Sequence, residues 1–430
     1  MNNLDTKDDN TTKTDTKTSN TNNESQAKKE YQSLYKRTDF INESQDDEIN
    51  EIKKVVLQKK DEPVKNISLN EEELKKKNFI LTDKAKERLS KLFNYIRLGV
   101  PVLLEGPTGT SKTLSVEIIC SILEEEEKLK PIDERKKRTL KRFNLSQETK
   151  TQDLLGSYIG DQNSFAGIKS VDGPFIEAFR DGYPLLLDEI NLASTEVLQC
   201  IEESLDSKIL SIEISGKPLQ EIKAHPDFTL IATQNPNKGL FSGKRQDLGI
   251  KFLSRFQVIE FPELFEELNE IAEGLGVRFK YLDENKNDEE NEKKKKIIQD
   301  IVSFHKEWSK NKIIEDDVQM LTVREIAAVM KALSDGMDPF ETMLIIYGAR
   351  YTKDKKEKML SFLRSKESFK NLEYPKIEIP KNFPKCYPSK SLCETISSVL
   401  FSFKNDRNVI ISGCIGCGKT KLARWVAKYY

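Results

Sequence analysis

From Val102 to Thr113 the chain reads VLLEGPTGTSKT, a short apolar run that empties into a turn built of glycine, threonine and serine. Downstream, Ile118, Ile119, Ile122 and Leu123 recur at helical spacing. Strand, loop, helix is the setting in which such a turn holds phosphate: successive backbone N–H groups and the helix N-terminus converge on anionic oxygens. The cradle is therefore assigned to Gly106, Pro107, Thr108, Gly109, Thr110, Ser111, Lys112 and Thr113. Lys112 would balance the β/γ charge, and the Thr113 hydroxyl would ligate Mg²⁺. Ser111 stands where the usual pattern has glycine before the lysine, which predicts weakened rather than abolished nucleotide binding.

Moving outward, Leu89, Leu92, Phe93 and Ile96 form a helical stripe before this strand. Further apolar runs follow at Arg142 to Leu145, Leu185 to Leu187, Phe228 to Thr233 and Val258 to Phe261. Short buried strands separated by helical segments predict an α/β fold with a parallel sheet. After Pro262 helices take over: Glu263 to Ala272, Ile297 to Trp308 and Val323 to Leu333. Asp338, Pro339 and Glu341 specify one more helix start, closed by Gly348. The charged run DENKNDEENEKKKK, Asp283 to Lys296, reads as a solvated insertion.

Two of the strands end in polar groups. YPLLLDEINLA, Tyr183 to Ala193, delivers Asp188 and Glu189 at the C-terminal edge of the sheet, where open α/β folds bind ligands. Asp188 would hold Mg²⁺ through water, and Glu189 would polarise the attacking water. TLIATQNPN, Thr229 to Asn237, offers Asn235 beside them, with a turn-forming Asn-Pro as the bland reading. Arg255 lies just before the last strand, exposed and able to stabilise charge on a neighbour's γ-phosphate, and Arg324 lies near the start of a later helix. Either arginine also reads as an ordinary surface cation.

A second strand-to-loop transition, VIISGCIGCGKT, spans Val409 to Thr420. Its phosphate-binding residues are Gly413, Gly416, Gly418, Lys419 and Thr420. Cys414 and Cys417 inside it lack the second pair that a metal site needs. No second acidic strand follows, so this loop is not expected to hydrolyse ATP by itself.

Composition sets the bounds. Lys+Arg at 70 nearly cancels Asp+Glu at 71, which argues against attachment to nucleic acid or membrane by bulk charge. Six scattered cysteines suggest reduced thiols inside a cell, and no apolar run has the length of a membrane-spanning helix. The first 77 or so residues, rich in Asn, Thr, Asp, Lys and Ser, read as a disordered tail with short helices such as Asp46 to Lys60. RKKRTLKR, Arg135 to Arg142, reads as a basic surface insertion or a nuclear-import signal. His225 and His305 lack partners for a metal site or triad and are assigned to ordinary structure.

The segments FNLSQETKTQDLLGSY, GPFIEAFRDGYPLLLDEINLA, IKAHPDFTLIATQNPN and FLSRF resemble the first AAA+ module of the midasin family, large dynein-related ATPases with several modules in one polypeptide. The resemblance covers about Phe79 to Arg350. After the tail (1–77), which composition alone reads as disordered, the resemblance implies an α/β AAA+ P-loop NTPase core with a parallel sheet (78–262), a helical lid (263–370, in which composition reads a charged insertion at 281–297), and a second, truncated module (371–430). It implies Lys112 and Thr113 as Walker A residues, Asp188 and Glu189 as Walker B, Asn235 as sensor 1, Arg255 as arginine finger and Arg324 as sensor 2. ATP and Mg²⁺ follow as ligands, and Ile209 to His225 as a hairpin ahead of the sensor strand. Neighbouring modules in a pseudo-hexameric ring follow as partners, with pre-ribosomal large-subunit particles in the nucleus as the family's target, and no membrane or direct nucleic-acid contact. Two other readings stay open: a module that holds nucleotide without turnover, and a ring ATPase that acts on DNA.

Overall fold

The computed structural model describes residues 71–160, 168–212, 220–237, 245–283, 288–310, 321–351, 353–370, 383, 390–404 and 408–429. The expected tail up to residue 70, with the helix at Asp46 to Lys60, lies outside them. Residues 71–77, grouped with the tail by composition, include a helix, α1 (Glu71–Lys76). Leu74 and Phe79 supply the reason, since both are buried against α2 (Asp83–Arg97) and the first strand.

Nine strands follow among the described residues: β1 (Val102–Glu105), β2 (Lys141–Asn144), β3 (Gly156–Gly160), β4 (Ile168–Asp172), β5 (Pro184–Asp188), β6 (Ile209–Ile212), β7 (Gln220–Lys223), β8 (Thr229–Gln234) and β9 (Gln257–Glu260). Five of them form one parallel sheet in the order β2-β5-β8-β1-β9. The chain leaves β1 for the far edge and works back, so a crevice opens at the C-terminal ends of β1 and β8, where α/β sheets bind ligands. The remaining strands make two antiparallel hairpins, β3-β4 and β6-β7. The tip of the second, 213–219, is outside the described residues.

The period of two along each strand splits the core into two layers. Leu103, Leu185, Leu187, Leu230 and Ala232 face Phe175 and Phe179 of α5 (Pro174–Asp181) and Val197 and Ile201 of α6 (Thr195–Ser207). Val102, Leu104, Leu186, Ile231 and Ile259 face α2 and α3 (Lys112–Lys128). Two short helices complete this half, α4 (Thr151–Leu155) and α7 (Ile250–Leu253).

Beyond β9 the described residues form helices, with α8 (Leu268–Arg278), α9 (Glu289–Ser309), α10 (Val323–Ser334), α11 (Pro339–Ile346) and α12 (Lys353–Leu363) around their own core of Phe304, Trp308, Met330, Phe340, Tyr347 and Phe369. His305 Nδ1 lies 2.7 Å from the Tyr347 hydroxyl within it. Part of the charged run is helix. Asp288 caps α9 by accepting from the Asn291 N–H, acids fill its first turn, and Glu289–Lys293 and Glu290–Lys294 pair at i,i+4. Asn291 is buried and donates to the Asp283 carbonyl at 2.9 Å.

The last two helices are α13 (Lys390–Lys404) and α14 (Lys419–Tyr429), joined through Ile396, Val399, Leu422, Trp425 and Val426. The strand expected at Val409 to Ser412 does not form among the described residues. It has no ladder partner, and Ile410 is 94% exposed.

Candidate functional site

A cavity of about 780 Å³ lies at the crevice, between the sheet and the helical half. Its floor is the turn from Gly106 to Thr113, which the local sequence shapes closely. A Cβ on Gly106 would sit 1.9 Å from the Phe261 carbonyl oxygen, so only glycine lets β1 pass β9 there. Gly109 has φ +83°, and Ser111 adopts the left-handed conformation at φ 66°, ψ 21°. Serine at this position therefore carries backbone strain that a glycine would not.

Lys112 is buried and donates to three oxygens: the Gly106 and Pro107 carbonyls, each at 2.7 Å, and Asn235 Oδ1 at 2.8 Å. Burial depresses its pKa to about 8, opposed by Asp188 and Glu189 and reinforced by the Arg245 guanidinium. Asn235 turns its other face to Glu189, donating from Nδ2 to Oε1 at 3.1 Å. Thr113 Oγ1 donates to Asp188, 3.0 Å from Oδ2 and 3.2 Å from Oδ1. The five side chains that the sequence singles out, at the start of α3, at and just past the end of β5 and just past β8, thus stand around one point.

Several contributors were not singled out by sequence reasoning. Thr233, one strand over, donates to Asp188 Oδ1 and accepts from the Glu189 N–H. It was visible as the polar residue in an otherwise apolar LIAT run. Glu189 itself is left-handed (φ 58°, ψ 49°), a conformation that aims it out of the strand. Arg245, buried, reaches 3.8 Å from Glu189 Oε2 and donates to the Pro236 carbonyl. Arg142 donates to Asp188 Oδ2 at 2.8 Å and to Glu117 Oε1 at 3.3 Å. Farther out the wall turns apolar, with Phe79, Ile80, Leu264, Ile271, Leu275 and Ala327. Such a surface suits a flat heterocycle better than phosphate.

The two other arginines part company. Arg324, exposed at the start of α10, lines the cavity next to Val323. Arg255 does not line it. Its side chain is only 13% exposed, clasped by Glu202 at 2.9 Å and by Asp206 of the same helix, so the free cation expected from the sequence is held by its own module. The basic run 135–142 is also engaged: Arg138 is buried near Glu127, Lys136 pairs with Asp227, and Lys141 with Glu177. In the second loop Lys419 folds over the Gly413 and Cys414 carbonyls at 2.8 and 2.6 Å, and Gly413, Gly416, Gly418 and Thr420 surround it, all exposed.

Residues 101–256 match the model of an AAA domain of the dynein-related subfamily. Midasin of Dictyostelium discoideum is 36% identical over 210 residues, 47% of this chain and 3% of the relative. Midasin of Giardia intestinalis is 30% identical over 201 residues, 45% of this chain and 4% of the relative. An uncharacterised protein of Bacillus subtilis is 30% identical over 175 residues, 40% of this chain and 51% of the relative. The matched segment is thus a small fraction of either midasin. Among the described residues no helix is long and apolar enough to cross a membrane.

Proposed function

We propose that this chain, whose residues 101–256 match the model of an AAA domain of the dynein-related subfamily, binds ATP with Mg²⁺ in the cavity between sheet and helices and hydrolyses it as one module of a ring. One observation carries the reading. Lys112, Asn235 and Glu189 form an unbroken hydrogen-bonded row, and the Thr113–Asp188 pair stands beside it. Phosphate charge, metal and attacking water would each find a group at this place.

The donor set fits the metal. A threonine hydroxyl and a carboxylate 3.0 Å apart are hard oxygen ligands of the kind Mg²⁺ accepts while keeping waters and taking phosphate oxygens. Bound there, Mg²⁺ would supply charge neutralisation to the β- and γ-phosphates. Lys112 would exchange its carbonyl partners for phosphate oxygens, and the loop N–H groups would hold the rest of the chain of phosphates. Glu189 would orient the attacking water and draw on its proton, with Asn235 fixing the carboxylate's direction. Phe79, Ile80, Ile271 and Leu275 would take the base, and Arg324 would reach the nucleotide from the helical lid.

Arg255 would serve the neighbouring module's γ-phosphate once its pair with Glu202 and Asp206 opens, which makes turnover depend on ring assembly. We infer from the resemblance to the midasin family that the module acts in remodelling large-subunit ribosome precursors in the nucleus, a reading supported by its likeness to two midasins. The test is phosphate release at rising chain concentration, with Glu189→Gln as control. Release that grows more than linearly with concentration and falls by roughly 10²–10⁴ in the variant is the expected result. Equal release from both proteins would remove the catalytic assignment, and tight ATP binding with no release in any assembled state would select a structural nucleotide site.

A further inference from the structure

We propose that Arg142 is a specificity residue for the metal: it guards Asp188 against bare divalent cations, so that the cation enters only as its nucleotide complex. The inference rests on the reading of Asp188 and Thr113 as the cation's ligands.

Both oxygens of the Asp188 carboxylate are engaged. The single Thr113 proton is shared between them, Thr233 donates to Oδ1 and Arg142 to Oδ2. Three donors thus hold a group that offers about four lone-pair sites. Of the three partners Arg142 alone also cancels the charge. Its guanidinium spans two carboxylates on different elements, Asp188 on β5 and Glu117 on α3, and Glu117 is further held by Lys77 at 3.2 Å. Arg142 can therefore let go of Asp188 and stay tethered. At 42% exposure Arg142 can turn in contact with water, and the arriving cation would take its place beside the Asp188 carboxylate, which is 12% exposed.

Charge decides when it turns. A bare divalent cation approaching Asp188 meets a fixed positive charge already in place and a neutralised ligand. A cation carried by a triphosphate arrives with excess negative charge, which Lys112 and Arg142 both attract. The same guanidinium thus opposes one form of the metal and admits the other. Within the basic run 135–142, Lys136, Arg138 and Lys141 face other acids, and Arg142 is the cation of that run that lines the cavity.

The experiment uses Mn²⁺ as the probe, with free ion counted by electron paramagnetic resonance, on the full chain and on Arg142→Gln and Arg142→Lys. Each is titrated with Mn²⁺ alone and with Mn²⁺ plus a non-hydrolysable ATP analogue. The expected result is that Arg142→Gln raises affinity for Mn²⁺ alone by roughly tenfold relative to affinity for the nucleotide complex. Arg142→Lys, which keeps the charge, should stay within about threefold of the parent ratio. An unchanged ratio in Arg142→Gln, with the Mn²⁺–nucleotide complex still bound, would overturn this inference alone. No binding of that complex by the parent chain would remove the reading of Asp188 as a ligand, and the inference with it.

Discussion

Lys112 and Lys419 reach back over their own loops in the same way, each donating to the first two carbonyls of its turn at 2.6–2.8 Å. The backbones match as well: Gly109 and Gly416 have φ of +83° and +85°, and the residues before the lysines, Ser111 and Gly418, are both left-handed. The surroundings do not match. Lys112 is buried and has Asn235, Asp188 and Glu189 around it, whereas the second loop is exposed and its leading segment joins no sheet among the described residues. A phosphate loop is thus a local structure that eight residues can specify. A nucleotide site is a tertiary one, because its acids arrive on β5 and its asparagine on β8.

Placing the same alteration in both loops sharpens this contrast most. A Cβ on Gly109 would lie 2.6 Å from Thr322 Cβ, at the start of α10, while one on Gly416 meets nothing within 4 Å. Gly109→Ala should therefore combine left-handed strain with overpacking, roughly 2–5 kcal/mol together, against roughly 1–2 kcal/mol for Gly416→Ala. Denaturant titrations of the two variants measure the gap. Equal losses would mean that the helical half does not close on the first loop as described.

Proton linkage comes next in size. Burial holds Lys112 near pKa 8, so the free site loses its ammonium above that pH, whereas a bound triphosphate would favour the charged form. Binding then takes up a proton, and affinity should be flat below about pH 7 and fall about tenfold per pH unit above 8. Lys112→Arg should flatten the profile. A parent chain whose nucleotide affinity is constant to pH 9.5 would contradict the burial of that charge.

The smallest effect is expected where the loops swap their one strained position. Ser111→Gly should relieve about 1 kcal/mol of left-handed strain, and Gly418→Ser should impose a similar cost on the second loop. A denaturation midpoint lowered by Ser111→Gly would show that the serine side chain holds the turn.

Legibility in the sequence followed the same division between local and tertiary. Val102–Leu104, Leu185–Leu187 and Phe228–Thr233 are continuous apolar runs, and they become adjacent strands because nothing else could bury them on both faces. Lys112, Asp188, Glu189 and Asn235 could be read because each ends such a run or sits in a recognisable turn. Arg142 could not: in sequence it is one cation of a basic octet, and only the β2–β5 pairing brings it to Asp188. Arg245 and the wall from Phe79 to Leu275 were hidden for the same reason. Arg255 was read as exposed because sequence carries no sign that α6 presents Glu202 and Asp206 to it. The first turns of α9 were not read as helix because charge density outweighed the Asp288 cap and the i,i+4 spacing of Glu and Lys. Val409 to Ser412 looks like a strand by composition, yet a strand needs partners that the described residues do not provide.

The most direct measurement is an equilibrium titration of fluorescent ATP with Mg²⁺ against the parent chain, Lys112→Ala and Lys419→Ala. One nucleotide per chain is predicted, weakened on the order of 100-fold by Lys112→Ala and changed less than about threefold by Lys419→Ala. Binding that survives Lys112→Ala and is lost in Lys419→Ala would contradict the account.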